Sequence, residues 1–349
     1  MRDKLLWLLA GTLIAAAAYA LNAYYDPAKP HHTRDGFRNN YPTPPRASFW
    51  KWQLERWQKG LPKTPEGGWH FPVDQPDIAF LQTNRSEFTA TWIGHSTVLL
   101  QIAGVNILTD PMFGERASPL SFAGPKRVVP PTPDLDQLPH IDIVLISHNH
   151  YDHLDVGSVE RLARQPGGPP RYYVPLGLKP WFADLGIVAD EMDWWDARDD
   201  SGLKIHFVPS QHWSARTLWD RDETLWGGFV VEHPRFRLIY TGDTGYSRDF
   251  ADIQRRFPSF DLALIPIGAY EPRWFMAPQH VDPEEAVRIH QDLHASQSLG
   301  VHWGTFVLTD EPLDEPPRRL ARALRDANLP LDVFWTLHVG ETKRLTPHH

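Results

Sequence analysis

The chain has no cysteine. That excludes disulfides, thiolate metal sites and lipid-modified cysteines, so any metal must be held by histidine and carboxylate side chains. The absence is compatible with any redox compartment. An excess of positive charge is also lacking, since 35 Lys and Arg stand against 43 Asp and Glu for a net charge of -8. A protein that grips nucleic acid through a general positive field needs the opposite balance, so nucleic acid is not an expected partner and a nuclease is disfavoured. Long hydrophobic runs are missing but for Leu5–Leu21, an uncharged stretch behind Arg2 and Lys4. It is at the lower limit for a membrane-spanning helix, and two readings stay open. One is an uncleaved anchor with Tyr24 and Tyr25 at the interface; the other is a secretory signal cut after Ala18-Tyr19-Ala20. Lys29, Arg34 and Arg38 offset Arg2 and Lys4, so orientation is weakly specified, with export to the periplasmic side the modest preference. The protein is expected to be membrane-associated or exported.

What is present is enough for a large core: 349 residues, 42% hydrophobic, with 15 Trp, 17 Phe and 10 Tyr. From Asp26 to about Phe80 the chain is rich in proline and aromatics and predicts an ordered wrap with one short helix near Phe49 to Lys59. Phe88 to Ile93, Thr97 to Ile102 and Val105 to Thr109 read as a strand meander turning at Gly94-His95-Ser96 and Ala103-Gly104. The proline-rich stretch Phe113 to Leu138 has no periodicity and predicts an irregular loop near a site. Strands and helices then alternate without a disordered linker, which argues for one α/β (α+β) domain. Leu331 to Leu337 is expected to be the final strand.

The most informative stretch is Ile141 to Asp155, IDIVLISHNHYDHLD. Its first six residues are too short an apolar run for a helix and rich in β-branched side chains, which predicts a buried strand. Immediately beyond come His148, His150, Asp152 and His153. Side chains two apart in extended backbone point the same way, so His148 and His150 can converge on one ion. Asp152 and His153 follow after the chain has begun to turn and can serve a second. Buried imidazoles and a carboxylate crowded together lack partners unless metal holds them, so the spacing predicts a dinuclear metal loop.

Three later strands end the same way. Lys204 to Val208 delivers His212, Leu238 to Thr241 delivers Asp243, and Leu299 to Val301 delivers His302. Each alone is weak, since an Asp or His at a strand end is commonly a turn former or structural residue. Asp110, closing the third strand of the meander before Pro111, can support a metal-bound histidine or simply form a turn. His31 and His32 are expected to pack or face solvent. His280 precedes Asp282-Pro283-Glu284-Glu285, a capping box with proline in the first helical position. The apolar face of that helix, Ala286, Ile289 and Leu293, should pack on the sheet.

His-x-His-x-Asp-His after a buried strand resembles the signature of the metallo-β-lactamase superfamily. The fuller HNHYDHLD, with KPHHTRDGFRN and GHST, resembles the N-acyl phosphatidylethanolamine-hydrolysing phospholipase D family from about Lys29 to near the C-terminus. The resemblance implies a four-layer αββα sandwich with two zinc ions at one edge. Residues 1–25 would then be an anchor or signal peptide, 26–87 the wrap, and 88–349 the metallo-β-lactamase-fold hydrolase domain. It further implies that His148, His150 and His212 bind the first zinc, that Asp152, His153 and His302 bind the second, and that Asp243 bridges both. Asp152 and Asp243 are thereby the catalytic carboxylates. By the same resemblance Tyr151 and His280 contact substrate, with packing at the helix entry the alternative for His280, and His95 of the GHST turn either supports the ligands without binding metal or is a simple turn residue. Iron or manganese suits the same donors.

The implied activity is cleavage of a phospholipid on the headgroup side, leaving phosphatidic acid and, from an N-acylated ethanolamine lipid, an N-acylethanolamine. Phospholipid and the membrane surface are the expected partners. Trp and Tyr favour interfaces, although core and loop packing accounts for most of the tryptophans. Two alternatives remain: a hydrolase of the same fold acting on a small soluble substrate, as in the lactonase branch, and a metal-binding scaffold without catalysis.

Overall fold

The computed structural model describes residues 22–347 apart from 46 and 63; the apolar stretch Leu5–Leu21 lies outside them. Two short strands, β1 (His32–Thr33) and β2 (Gly36–Phe37), form a hairpin, followed by helices α1 (Phe49–Lys59) and α2 (Ile78–Thr83). The first large sheet contains β3 (Phe88–Gly94), β4 (Thr97–Ile102), β5 (Val105–Thr109), β6 (Ile143–Leu145), β7 (Arg171–Pro175) and β8 (Ala189–Met192). Helices α3 (Val156–Ala163) and α4 (Lys179–Asp184) are inserted in it. The second sheet contains β9 (Ala197–Asp200), β10 (Leu203–Val208), β11 (Gly228–His233), β12 (Phe236–Tyr240), β13 (Phe260–Pro266), β14 (Ala295–Val301) and β15 (Phe334–Trp335). Its helices are α5 (Asp249–Arg256), α6 (Arg273–Met276), α7 (Pro283–Asp292) and α8 (Glu315–Asp326). The last strand, β16 (Thr342–Leu345), returns to the first sheet beside β3, so the spatial orders are β16-β3-β4-β5-β6-β7-β8 and β15-β14-β13-β12-β11-β10-β9.

The layers follow from which faces are apolar. Trp92, Leu100, Phe207, Phe229 and Leu264 belong to the core between the sheets. Leu99, Val144 and Tyr172 face outward against Leu81 of α2, Val159 of α3 and Phe182 of α4. Ala263 and Ile265 face outward against Phe250 of α5, Ile289 of α7 and Leu320 of α8. This is an αββα sandwich. A fully buried Leu or Phe contributes roughly 1.5–3 kcal/mol, so these three clusters dominate the stability. The capping box at Asp282 and Glu285 is present, and Ala286, Ile289 and Leu293 are fully buried.

The C-terminal segment departs from expectation. Leu331–Val333 is a 3-10 turn, and only Phe334 and Trp335 pair with β14. Pro330 starts the turn and Asp332 offers its carbonyl to Trp335 Nε1 at 2.6 Å, which curls the chain away from the sheet.

Topology gathers the site at one edge. β5 and β6 are parallel, as are β12, β13 and β14. β10 runs antiparallel to β11, and β11 to β12, so β10 shares the direction of β12. The ends of β5, β6, β10, β12 and β14 therefore open toward the same edge, as does the turn between antiparallel β3 and β4. Ligands commonly bind beyond the carboxyl ends of such strands.

Candidate metal centre

Two groups of side chains meet at that edge. In one, His150 Nδ1 lies 2.8 Å from His148 Nε2 and 3.3 Å from His212 Nε2. In the other, Asp152 Oδ2 lies 3.1 Å from His95 Nε2, 3.3 Å from His302 Nε2 and 3.5 Å from His153 Nε2. Asp243 Oδ2 sits between them, 3.1 Å from both His153 Nε2 and His302 Nε2 and 3.9 Å from both His148 Nε2 and His212 Nε2. All seven residues expected to be ligands are thus brought together.

The hydrogen bonds behind the ligands fix which nitrogen faces inward. Asp110 Oδ2 accepts from His153 Nδ1 at 2.6 Å, from Ser147 Oγ at 2.5 Å and from the Tyr240 hydroxyl, while its Oδ1 accepts the Ser147 amide at 2.7 Å. These bonds leave Asp110 no role as a ligand and present His153 Nε2 to the cluster. Ser147 Oγ gives its proton to Asp110, so it accepts from His148 Nδ1 at 2.9 Å, and His148 Nε2 points inward. His212 Nδ1 donates to the Gln279 carbonyl at 2.8 Å, freeing its Nε2 likewise.

Burial drives His95, His150, His212 and His280 down to about 3, leaving them neutral with lone pairs available. Burial opposes ionisation of Asp152 and Asp243, but the neighbouring imidazoles hold both well below the usual carboxylate range. The reciprocal effect of those carboxylates, against burial, raises His302 to about 9 and His153 well above its ordinary value.

The ten non-glycine residues with positive φ among the described residues include three at this edge, His95 (φ 54°), Asp110 (φ 30°) and His302 (φ 61°). Such conformations cost of order 1–3 kcal/mol each and persist where surrounding structure enforces them. Gly242, at φ +61°, is required beside Asp243, because a Cβ there would lie 2.5 Å from the Gly227 carbonyl oxygen.

The remaining expected residues lie close by. His280 is mostly buried, its Nδ1 3.9 Å from Asp243 Oδ2 and without a hydrogen-bond partner. Tyr151 lines the cavity, but its hydroxyl donates to the Arg216 carbonyl at 3.0 Å. His31 and His32 stand apart, both buried on Asp193 at 2.7 and 2.9 Å. Two residues escape sequence reasoning. Asn39 donates to the His212 carbonyl at 3.0 Å and accepts the His212 amide at 3.1 Å. Arg216 lies 4.0 Å over the Tyr151 ring and donates to the carbonyls of Asn149 and Leu154, each at 2.8 Å, bracing the metal loop. For Asn39 the only hint is its place in the FRNN segment.

Above the cluster is a cavity of about 430 Å³. Its lining includes His150, Asp152, His212, Asp243, His280 and His302, and also Met276 and the ring cluster of Phe49, Trp52 and Phe275, which forms an apolar arm. A polar, ligand-rich end joined to an apolar arm suits an amphipathic substrate.

Residues 105–303 match the beta-lactamase superfamily domain. The chain is 41% identical over 271 residues to the N-acyl-phosphatidylethanolamine-hydrolyzing phospholipase D 1 of Caenorhabditis elegans, covering 74% of this chain and 76% of that protein. It is 38% identical over 238 residues to the mitochondrial N-acyl-phosphatidylethanolamine-hydrolyzing phospholipase D of Saccharomyces cerevisiae, covering 66% of this chain and 50% of that one. A solved metallo hydrolase of the archaeon Ignicoccus hospitalis aligns with a TM-score of 0.56 at 19% identity, over 74% of this chain and 98% of that one; this is a likeness of fold.

Proposed function

The chain belongs to the metallo-β-lactamase superfamily, in the N-acyl phosphatidylethanolamine-hydrolysing phospholipase D family, and is a metal-dependent hydrolase; from that premise we propose that it is a dinuclear zinc phosphodiesterase acting on phospholipids. The observation that carries the reading is the position of Asp243 Oδ2 between two separate sets of inward-facing nitrogens and a carboxylate. The donor set fits two cations. Within the cluster His153 Nε2 and Asp243 Oδ1 are buried without hydrogen-bond partners, and a crowd of imidazoles with two carboxylates suits zinc. His148, His150 and His212 would hold one ion, Asp152, His153 and His302 the other, with Asp243 shared. When bound, such a pair supplies a nucleophile from water at neutral pH and offsets negative charge developing on the substrate.

The rest of the work falls to the chain's own side chains. The apolar arm by Trp52, Phe275 and Met276 would take an acyl chain and bring the phosphodiester to the polar end. His280 would meet a phosphoryl oxygen, a role supported by its unpartnered nitrogen beside Asp243. His95, 3.1 Å from Asp152, orients that carboxylate. Tyr151 offers its ring and a hydroxyl acceptor, since its proton is given to Arg216. Hydrolysis on the headgroup side places the water oxygen on phosphorus and returns a proton to the leaving alcohol. An N-acyl phosphatidylethanolamine would thus yield phosphatidic acid and an N-acylethanolamine.

Among the described residues no helix is long and apolar enough to cross a membrane. Anchoring or export through Leu5–Leu21, and the division into 1–25, 26–87 and 88–349, belong to the same proposal. The test is metal analysis of the purified protein followed by incubation with a mixed lipid extract and identification of the products. Release of an alcohol from a phospholipid is expected. Inert phospholipid together with ring opening of a lactone would replace this reading by the soluble-substrate alternative.

A further inference from the structure

Six large apolar side chains stand out as 77% or more exposed among the described residues: Trp50, Trp57, Phe122, Val188, Leu218 and Trp219. Isolated exposed apolar residues need no explanation. Five of these six, however, belong to three elements that meet at one cavity. On α1, Trp50, Leu54 and Trp57 are spaced by four and three residues and form one outward stripe. The opposite face of α1 is already used: Trp52 stacks on Phe275 at 4.8 Å and Arg56 pairs with Asp310 at 3.0 Å. Phe122 lies near the tip of a loop closed by Ala117 N to Pro125 O at 3.0 Å, and Leu218 and Trp219 lie at the tip of one closed by Asp222 N to Ser214 O at 2.8 Å. Phe49 and Trp52 of α1, Ala117 of the first loop and Ala215 of the second all line the cavity above the metal centre.

Charge decides what covers this rim. From Arg46 to Lys63 the sequence carries five Lys or Arg against the single Glu55, in a chain of net charge -8. Lys51 and Lys59 stand beside the stripe with 62% and 73% of their side chains exposed. Contact with a second copy through a two-fold axis would press two cationic stretches together. An anionic bilayer takes both features at once, with tryptophan rings at headgroup level and ammonium groups among the phosphates.

We propose that α1 and the loop tips at Phe122 and Trp219 form a docking surface for an anionic lipid bilayer, seating the cavity mouth directly on the membrane. This rests on the phospholipid reading above and adds the surface by which the substrate is reached. Lipid enters the apolar arm beside Trp52 without crossing water, and the products, both of which keep acyl chains, return to the same bilayer.

The absence of native cysteine makes each introduced one a unique labelling point. The full-length chain is prepared as Trp57→Cys, Phe122→Cys, Trp219→Cys and Val188→Cys, each carrying a polarity-sensitive fluorophore. Val188 lies by Arg171 and Asp190, near the start of β7 and away from the metal edge, and serves as the control. Vesicles contain nitroxide-labelled lipid in either phosphatidylglycerol mixed with phosphatidylcholine or phosphatidylcholine alone. On the anionic vesicles the three rim labels shift to the blue and are quenched at least about threefold more than the Val188 label, as interfacial burial requires. On phosphatidylcholine alone the quenching falls. If the protein sediments with vesicles while the rim labels remain no more quenched than the Val188 label, the proposal is overturned, because another segment then holds the membrane. Concentration-dependent shielding of the Trp57 label without lipid overturns it in favour of a second copy. No turnover enters this readout, so an enzyme inert toward phospholipids would undo the proposed activity without altering the docking result.

Discussion

Asn39 offers a sharp test of how the N-terminal segment bears on chemistry. Its side chain grips the backbone of His212 from both sides, donating at 3.0 Å and accepting at 3.1 Å, and also accepts from Trp226 Nε1 at 3.1 Å. Asn39→Ala removes this support and leaves a buried amide and carbonyl of His212, a proposed metal ligand, without these partners. Loss of such a supporting contact typically lowers metal affinity tenfold to hundredfold, or about 1.4–2.8 kcal/mol. The unsatisfied groups should also destabilise the fold by about 1–3 kcal/mol. At roughly 2–4 °C per kcal/mol for a domain of this size, the melting temperature falls by several degrees. Asn39→Asp keeps the acceptor and loses the donor, so it should lie between parent and alanine. The assay is competition for zinc against a chelator of known affinity, run beside thermal unfolding. If Asn39→Ala unfolds earlier yet holds zinc as tightly as the parent, the residue merely fastens the segment and the argument linking it to the metal centre is wrong.

The other predictions concern the cluster and its two clamps. Asp243→Asn should abolish turnover while preserving the fold, read by activity beside circular dichroism; unchanged activity would remove the bridging role. Arg216→Met keeps the side-chain stem but takes the hydrogen bonds from the Asn149 and Leu154 carbonyls, so stability should fall by about 2–3 kcal/mol with partial loss of metal, measured by denaturant unfolding and metal stoichiometry. Burial opposes ionisation of Asp193, but His31, Lys29 and His32 hold its carboxyl well below the usual carboxylate range. A depressed carboxyl adds stability above its unfolded pKa and loses it as pH falls through the folded one. Parent and Asp193→Asn should therefore differ most above about pH 5 and converge in stronger acid; a difference that grows on acidification would contradict that sign.

The metal loop was legible because its chemistry is local: four donors in six positions after an apolar run leave few bland readings. His212, Asp243 and His302 needed more, since each is only a residue at the end of a strand until the parallel pairings bring those ends to one edge. Arg216 carried no legible signal, and Asn39 none beyond its place in the FRNN segment. They act on main-chain groups 173 residues away for Asn39 and up to 67 for Arg216, and no local pattern marks a side chain that bonds a distant backbone. The same physics hid β9 and β16. The segments ARDD and TKRL have little apolar alternation, and pairing with β10 and β3 makes them strands.

His31 and His32 show why residue type alone does not make a metal site. With Asp193 they form a buried group of two imidazoles and a carboxylate, similar in content to the ligand sets. The difference lies in the countercharge. Asp193 already holds the ammonium of Lys29, and His32 Nδ1 donates to the Tyr24 carbonyl at 2.7 Å while its Nε2 faces the carboxylate. Both carboxylate oxygens of Asp193 and both ring nitrogens of His32 thus have partners within the chain. The ion-pair partners of Asp152 and Asp243 are instead imidazoles, with unpartnered buried atoms left over at His153 and Asp243. A clamp that brings its own cation fastens the chain, whereas a cluster that leaves donors unspent is built to receive cations from outside.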